Sequence, residues 1–241
     1  GAFLSGGIDS SLVVSYMAEH LSSPVKTFSI GFKEEKYNEL AYAAEVAKKW
    51  GTEHHVEIVE PQGLDILPDL VRHYGEPFAD SSAIPTWYVS RLARRNVTMT
   101  LTGDGGDELF AGYGRYVQFA EQQELLPLNR KKIKSFLYPF INPIDPYKFP
   151  NNVAFWEGKS LRNLMEYIRI VPFELRKRLW KPDYAQYLQY TPPLFASTYA
   201  AAQHLSPTNL FQQVDINTYL PLDILTKVDV ASMMHSLEVR P

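Results

Sequence analysis

The sequence predicts an α/β fold, with a doubly wound, mostly parallel sheet followed by a helical C-terminal subdomain. In the N-terminal part of the chain, short apolar runs alternate with helical patterns, which is typical of parallel βαβ units. After about residue 116, prolines punctuate an aromatic-rich stretch before longer helical patterns resume. We therefore expect a sheet-containing core over residues 1–116 and a mainly helical part of the same domain over residues 117–241.

The expected elements of the core alternate along the chain. Each strand is a short apolar run, and each helix shows apolar residues at helical spacing. In chain order they are a strand ending at Phe3-Leu4, a helix at 10–21, a strand at 25–32, a helix between Asn38 and Gly51, a strand at 55–59, helices at 64–74 and 82–95, and a strand at 97–102. Longer helical patterns follow at 161–179 and 207–238.

The apolar residues of the first two helices predict which face each one buries. In the first helix the expected inner residues are Leu12, Val13, Tyr16, Met17 and Leu21. In the second they are Leu40, Ala43, Ala44, Ala47 and Trp50. Asn38 is suited to cap the second helix at its start, and Gly51 stands where a left-handed C-terminal cap is expected.

Composition and charge exclude several classes of protein. The chain is 45% hydrophobic. None of its apolar runs approaches the length of about 20 residues that a membrane-spanning helix needs, so we expect no membrane insertion. A net charge of −3 offers no basic field for nucleic acid. Because the chain has 0 cysteines, it has no disulfide, thiolate metal site or cysteine nucleophile. No signal peptide is recognisable, which favours the cytoplasm.

The two ends of the chain favour a fragment of a longer protein. The chain opens within a run that is typical of a buried strand, and it stops at Arg240-Pro241 directly after a motif-like segment.

A glycine- and serine-rich loop at 5–11 follows the first expected strand and opens the first helix. Gly6 and Gly7 let the backbone turn tightly and approach a ligand closely. Hydroxyl donors at a helix N-terminus favour an anion such as phosphate. The hydroxyls are those of Ser5, Ser10 and Ser11. The alternative is that this segment is a strand-to-helix turn that is rich in glycine and serine but binds no ligand.

The same loop differs from the common nucleotide-binding motifs. It lacks both the lysine of a Walker loop and the G-x-G-x-x-G spacing of dinucleotide folds. Asp9 instead places a carboxylate among the expected phosphates, and this is repulsive unless a divalent cation such as Mg²⁺ bridges them. The loop therefore indicates a metal–nucleotide complex.

A second loop at 102–113 is rich in glycine and acids and also follows an expected strand. Asp104, Asp107 and Glu108 fall within it, and such a concentration of carboxylates is unfavourable unless a cation lies between them. A magnesium ion or an amine would supply this positive charge. The alternative is an acidic turn exposed to water. Because parallel strands end at the same edge of a sheet, we expect the two loops to lie together.

The first loop resembles the S-G-G-x-D-S loop of the N-type ATP pyrophosphatases, or PP-loop enzymes. With the segments at 27–32 and 102–113, it resembles the C-terminal synthetase domain of the glutamine-hydrolysing asparagine synthetase family. The segments at 76–86 and 219–241 are similar to the family as well, and the match is weakest at 118–215. The resemblance implies an adenine nucleotide alpha hydrolase-like fold with an ATP pyrophosphatase-type core.

The family resemblance also implies a reaction. In such enzymes the side-chain carboxylate of aspartate attacks the α-phosphorus of ATP, giving a β-aspartyl-adenylate and pyrophosphate, and ammonia then displaces AMP. The implied cofactors are ATP and Mg²⁺, and the implied small-molecule substrates are ATP, aspartate and ammonia.

The resemblance assigns site residues one by one. The ATP and pyrophosphate residues are Leu4, Ser5, Gly6, Gly7, Asp9, Ser10, Ile30 and Gly103, with adenine received by backbone groups around Leu4 and Ile30. The implied metal ligands are Asp9 and Asp107, and the implied catalytic residues are Asp104, Asp107 and Asp223. Asp104 would steer or deprotonate an incoming ammonium ion. Residues assigned weaker roles are Asp80, Ser81 and Ser82 for the amino-acid substrate, and Glu238 with Arg240 as a structural ion pair.

The family further implies partners that this chain does not contain. A glutaminase domain of the same full-length protein would supply ammonia, and a homodimer is a further expectation. The family pattern also continues past Pro241 with a lysine that contacts pyrophosphate, and Val230 stands where many relatives carry a basic residue.

Two other classes of function remain open. One is another adenylating amide ligase, such as a β-lactam synthetase or a surface-polymer amidotransferase homologue. Asp104 argues against it, because β-lactam synthetases carry tyrosine there. The other is a non-catalytic nucleotide-binding module, which has less need of the paired carboxylates Asp9 and Asp107.

Overall fold

The computed structural model describes residues 1–33, 39–59, 65–124, 161–169, 171 and 173–241. The chain forms two compact units, one made of residues 1–107 and 219–241 and the other of residues 108–218. The proposed cap Asn38 and the start of the helix expected at 64 lie outside the described residues. Within the described ranges, no helix has both the length and the apolar character needed to cross a bilayer.

The first unit, here called the sheet unit, is built on five parallel strands in the order β3-β2-β1-β4-β5. The strands are β1 (Ala2–Phe3), β2 (Lys26–Phe32), β3 (Glu53–Val59), β4 (Met99–Leu101) and β5 (Glu238–Arg240). Helices flank this sheet, so the predicted α/β fold is confirmed.

Helices connect the strands and make up the second unit, here called the helical unit. Within the described residues, the α-helices in chain order are α1 (Ile8–His20), α2 (Leu40–Trp50), α3 (Leu67–Tyr74), α4 (Ala83–Arg94), α5 (Gly106–Phe110), α6 (Gly114–Glu124), α7 (Leu161–Ile168), α8 (Phe173–Leu179), α9 (Pro193–Ala202), α10 (Pro207–Asn217) and α11 (Leu225–Met233). A 3-10 helix spans Pro182–Gln189, and a π-helical turn spans Leu220–Ile224.

The strand order reverses beside β1. The chain runs outward from β1 through β2 to β3, and then returns to the other side of β1 to place β4 and β5. Ala2 accordingly pairs with Thr27 of β2 on one side and Leu101 of β4 on the other. In open parallel sheets such a reversal opens a crevice at the carboxyl ends of the two strands. The loops that follow β1 and β4 flank this crevice.

Side chains alternate across β1 and supply both faces of the sheet. Ala2 and Leu4 pack with Val14 of α1 and Ala43 of α2 on one face. Phe3 lies on the opposite face, where the core residues include Phe28, Leu92, Ala93 and Leu237. Both faces are therefore covered, as a parallel sheet requires.

The predicted inner faces of the first two helices need correction. In α1 the buried residues are Ser10 and Val14, whereas Leu12 and Tyr16 are exposed. The sequence offers two apolar stripes on this helix, and the one containing Val14 meets the sheet. In α2, Ala43 and Ala47 are buried as expected, but Ala44 is exposed.

The cap of α2 is as predicted. Gly51 has φ 60° and ψ 39°, in the left-handed region, and its N–H donates to carbonyls of the last helical turn.

The helix predicted to continue to Glu238 is wrong at its C-terminal end. Ser236 has φ 56°, which ends the helical path, and Glu238 to Arg240 then form β5 at the edge of the sheet. The N–H of Glu238 donates to the Thr98 carbonyl at 3.0 Å. Residues 219–241 consequently belong to the compact sheet unit, whereas the sequence-based division placed them with the helical part. The domain organisation of the full-length protein stays a prediction.

The helical unit has its own core. Aromatic residues on α6 and α10 pack edge to face, including Tyr116, Phe119 and Phe211. Two buried carboxylates of this unit are paired with arginines: Asp215 with Arg115, and Glu166 with Arg169 and Arg176.

Candidate active site

The loop after β1 is held in shape by its own hydroxyl groups. Ser5 Oγ and Ser10 Oγ lie 3.0 Å apart, and the Gly7 N–H donates to Ser5 Oγ at 3.2 Å. Ser10 Oγ is 3.2 Å from the Gly7 carbonyl, to which it donates. These bonds fix the turn that leads directly into α1.

Gly6 is required by two features of this loop. Its φ is 86°, in the region that side-chain-bearing residues rarely adopt. A Cβ at Gly6 would also lie 2.5 Å from Tyr42 Cβ and 2.6 Å from the Ala43 nitrogen. The loop therefore packs directly on the first turns of α2.

The N-terminus of α1 is suited to an anion. Gly7 is its N-cap residue and provides no side-chain cap, and the N–H groups of a first helical turn have no intrahelical acceptors. Asp9 lies in this first turn. A phosphate group here would interact favourably with the helix dipole, whereas the Asp9 carboxylate would need a cation beside it.

The acidic loop after β4 lies against the loop after β1, as expected from the strand ends. A Cβ at Gly103 would fall 2.9 Å from both Asp9 Cβ and the Ser10 nitrogen. At Gly106 it would fall 2.5 Å from Asp9 Cγ and 2.7 Å from Asp9 Oδ1. The Asp9 carboxylate therefore rests on the Gly106 backbone, next in sequence to Asp107.

A magnesium ion is compatible with these residues. Mg²⁺ is commonly held by one or two carboxylates together with substrate phosphates. Asp9 contacts the backbone of Gly106, which precedes Asp107, so both residues supply carboxylates of the kind this donor set uses. Among the residues that the structure describes, no group of three or more His, Asp or Glu side chains is placed to hold a metal by itself.

Asp104 is oriented through both of its carboxylate oxygens. Thr102 Oγ1 donates to Asp104 Oδ2 at 2.7 Å, and the Asp104 N–H donates back to Thr102 Oγ1 at 3.4 Å. Asp104 Oδ1 lies 3.9 Å from the Nζ of Lys227. The predicted catalytic acid is thus adjacent to a lysine.

Lys227 was given no role by the sequence reasoning. Its side chain is 8% exposed, and its Nζ also lies 3.7 Å from Asp80 Oδ2. Its carbonyl accepts a hydrogen bond from the Tyr74 hydroxyl at 3.0 Å. The spacing of four residues from Asp223 was a usable signal, because residues so spaced on a helix share one face.

Asp80, Asp104, Asp223 and Lys227 are called the acid–lysine cluster below. Burial raises the pKa of Asp223 above its usual value, the nearby Asp80 carboxylate raises it further, and Lys227 opposes both. Burial, followed by Asp80 and Asp223, raises the pKa of Tyr74 to about 12. The structure therefore brings the predicted residue Asp223 into the electrostatic neighbourhood of Asp80.

The segment around Asp80 forms a tight turn at the start of α4. Asp80 Oδ1 accepts hydrogen bonds from the Ser82 N–H at 2.8 Å and from Ser82 Oγ at 2.7 Å. Ser81 is exposed. Ser82 therefore orients Asp80, and a contact of either serine with an amino-acid substrate stays a prediction.

A cleft of about 250 Å³ opens beside the ends of β1 and β2. Its walls include Leu4, Ser5 and Ile30. The Leu4 N–H donates to the Phe28 carbonyl at 2.9 Å, and the hydroxyl of the neighbouring Ser29 donates to the Leu4 carbonyl. Because the N–H is committed to the sheet, Leu4 can offer adenine its side chain and a remaining carbonyl lone pair, but no donor.

Glu238 and Arg240 form the ion pair expected at the C-terminal end. Arg240 Nε donates to Glu238 Oε1 at 2.7 Å, and both side chains are exposed. This pair does not belong to the acid–lysine cluster.

Residues 1–241 match the family model described as asparagine synthase. The chain is 34% identical over 255 aligned residues to the glutamine-hydrolyzing asparagine synthetase 1 of Bacillus subtilis (strain 168), an alignment that covers 100% of this chain and 38% of that protein. A putative glutamine-hydrolyzing asparagine synthetase of Mycobacterium tuberculosis (strain H37Rv) is 32% identical over 248 residues, which cover 100% of this chain and 36% of the relative.

A shorter alignment reaches higher identity. The putative glutamine-hydrolyzing asparagine synthetase 2 of Methanocaldococcus jannaschii is 49% identical over 115 residues, covering 47% of this chain and 22% of the relative. The chain spans little more than a third of the length of the relatives that match it throughout, 38% and 36%. With the whole chain matched by the family model, the chain belongs to the asparagine synthase family.

Proposed function

We propose that the sheet unit carries out ATP-dependent amide formation through an acyl-adenylate, converting aspartate to asparagine with release of AMP and pyrophosphate. The observation that carries this proposal is the contact of Asp9 with the backbone of Gly103 and Gly106. This contact brings a helix N-terminus that is suited to an anion and an acidic loop together beside the strand reversal. Family membership supports the same reaction.

In the first step the substrate carboxylate bonds to the α-phosphorus of ATP, and the bond between the α- and β-phosphates breaks, with its electron pair leaving on pyrophosphate. The loop after β1 would bind the leaving group, through the residues Ser5, Gly6, Gly7 and Ser10. Asp9 and Asp107 would hold Mg²⁺, which neutralises the negative charge of the departing group. The cleft walled by Leu4 and Ile30 would receive the adenine.

In the second step ammonia attacks the acyl carbon, and AMP leaves with the electron pair of the acyl–oxygen bond. Asp104 would accept a proton from the incoming ammonium ion, since Thr102 donates to one oxygen of its carboxylate and the other oxygen accepts no hydrogen bond from the described residues. Asp223 is another carboxylate of the acid–lysine cluster, and its raised pKa suits it to exchange a proton.

The names of the relatives, glutamine-hydrolyzing asparagine synthetases, support one of the expected partners. A glutaminase domain of the same full-length protein would deliver the ammonia, and a homodimer and a cytoplasmic location stay predictions.

The test is pyrophosphate release from ATP and Mg²⁺ by the full-length protein. Reactions contain aspartate, glutamate, another amino acid or no acceptor, and ammonium chloride is then added. We expect release that depends on aspartate, with asparagine formed once ammonium is present. Release that depends on a different carboxylate would place the protein among other adenylating amide ligases, and ATP binding without any release would favour a nucleotide-binding module.

A further inference from the structure

Lys227 is a buried lysine between two carboxylates of the sheet unit. Its Nζ lies 3.7 Å from Asp80 Oδ2 and 3.9 Å from Asp104 Oδ1, and its side chain is 8% exposed. Burying an ammonium group is unfavourable unless opposite charges compensate it, and these two carboxylates supply that compensation.

The two carboxylates are bound in the same manner. In each, one oxygen accepts from a hydroxyl of its own loop, and the other oxygen faces Lys227. Thr102 is the donor to Asp104, at 2.7 Å, and Ser82 is the donor to Asp80, also at 2.7 Å. Each carboxylate is therefore oriented by two contacts, and the contact with Lys227 is common to both.

Lys227 itself is held from two directions. Its helix, α11, packs on α4, where Ala231 and Val228 are buried. The Tyr74 hydroxyl donates to the Lys227 carbonyl at 3.0 Å. A lysine anchored in this way positions its neighbours, because its own backbone is fixed by the core.

We propose that Lys227 is a positioning residue that holds the Asp104 carboxylate in the orientation needed to capture ammonia. This inference rests on the function proposed above. Lys227 acts through Asp104 and therefore affects amide formation more than the release of pyrophosphate. The contacts of 3.7 and 3.9 Å are longer than hydrogen bonds, so the carboxylates keep lone pairs for a second cation such as ammonium.

The test uses the full-length enzyme and two substitutions. Lys227→Met removes the charge and keeps most of the chain length, whereas Lys227→Arg keeps the charge. Rates of aspartate-dependent pyrophosphate release and of asparagine formation are measured over a range of ammonium concentrations. Lys48→Met serves as the matched control, because Lys48 is an exposed lysine in the last turn of α2.

For Lys227→Met we expect kcat/KM for ammonium to fall by about tenfold to a hundredfold, and to fall at least about fivefold more than pyrophosphate release. The fall in kcat/KM for ammonium should be smaller for Lys227→Arg than for Lys227→Met. Lys48→Met should match the unmodified enzyme in both measurements. Thermal unfolding of each variant verifies that the comparison is made between folded proteins.

The decisive measurement is a double-mutant cycle with Asp104→Asn. If Lys227 acts through Asp104, adding Lys227→Met to Asp104→Asn changes amide formation by less than about twofold. Fully additive losses, or equal losses of the two activities in Lys227→Met, would overturn the inference. Failure of the proposed function is distinguishable, because the unmodified enzyme would then release no pyrophosphate with aspartate.

Discussion

In the helical unit Asp215 is fully buried, and its Oδ2 accepts hydrogen bonds from Arg115 and Tyr116, both at 2.7 Å. In the sheet unit, Asp80 and Asp104 instead face a lysine at 3.7 and 3.9 Å. Asp215 is therefore tied to an arginine by a short hydrogen bond, whereas Asp80 and Asp104 face their lysine at longer distances.

The difference separates two uses of a carboxylate. Short bonds to a guanidinium satisfy an oxygen strongly and fix the packing around it. A lysine at a longer distance orients a carboxylate and leaves part of its hydrogen-bonding capacity for another partner. We infer that Asp215 of the helical unit serves stability and that Asp80 and Asp104 of the sheet unit serve chemistry, and the predictions below test that separation.

The largest expected effect is on stability, from Arg115→Met. It leaves Asp215 buried without its guanidinium partner, and breaking a buried pair in this way lowers the free energy of unfolding by about 3–5 kcal/mol. Arg72→Met is the matched control, because the Arg72–Asp69 pair is 74% and 59% exposed. Arg72→Met should lower the free energy of unfolding by less than about 1 kcal/mol. Urea unfolding of both variants measures the difference, and equal losses would contradict the comparison.

Gly6→Ala should damage the sheet unit's site together with its stability. A side chain at Gly6 meets both an unfavourable φ and the backbone of α2. Backbone strain and overpacking together should lower the free energy of unfolding by about 2–4 kcal/mol. We also expect the affinity for ATP to fall by at least about tenfold. Gly51→Ala shares the positive φ but has open space around it, so it should lower stability alone. Isothermal titration with Mg-ATP checks this, and a normal affinity in Gly6→Ala would argue against the loop assignment.

Substitutions of two aspartates should separate the steps of the reaction. We expect Asp9→Asn to weaken Mg-ATP binding by about tenfold to a hundredfold, since it removes a charged metal ligand. Asp104→Asn should lower amide formation far more than it lowers ATP affinity. Both variants should unfold near the temperature of the unmodified protein. Equal losses of ATP affinity would rule out this division of roles.

The smallest effect concerns the pH dependence of stability. Burial raises the pKa of Asp215 above its usual value despite the opposing Arg115 and Tyr116 contacts, and Glu108 adds a further raising contribution. The folded state thus favours the protonated carboxyl. This contribution is complete below the usual pKa of 3.8 and is lost as the pH rises through the raised folded pKa.

Asp215→Asn removes this titration. We expect the free energy of unfolding of the parent, relative to the variant, to fall as the pH rises from about 4 to 7. Urea unfolding at several pH values measures it, and a relative stability that rises over this interval would show that the Arg115 pair outweighs burial.

Much of the fold could be predicted because its signals are local. Gly51 marks the end of α2 through its own backbone preference, and the apolar runs of β2 and β3 are long enough to show their period. β5 was missed because it has 3 residues, of which only Val239 is apolar. Three residues cannot establish an alternation, and the pairing with β4 is a long-range contact.

The candidate site likewise has features that the sequence predicts locally and features that depend on tertiary contacts. The two loops are recognisable because glycine and aspartate occur at fixed spacings, and the family they indicate is confirmed for the whole chain. The role of Lys227 depends on residues around 80 and 104 that are distant in sequence. The stripe of α1 that meets the sheet also depends on tertiary packing, which the helical period by itself does not determine.

The position of β5 has a consequence for biosynthesis. The Thr102 N–H, at the start of the acidic loop, donates to the Arg240 carbonyl at 2.9 Å, so the loop is secured by a residue made much later by the ribosome. Contacts of such sequence separation form slowly and late. Asp104 and Asp107 therefore belong to a loop that lacks this anchor until Arg240 has been synthesised. We thus expect this loop to reach its final arrangement late in folding rather than when the first strands of the sheet pair.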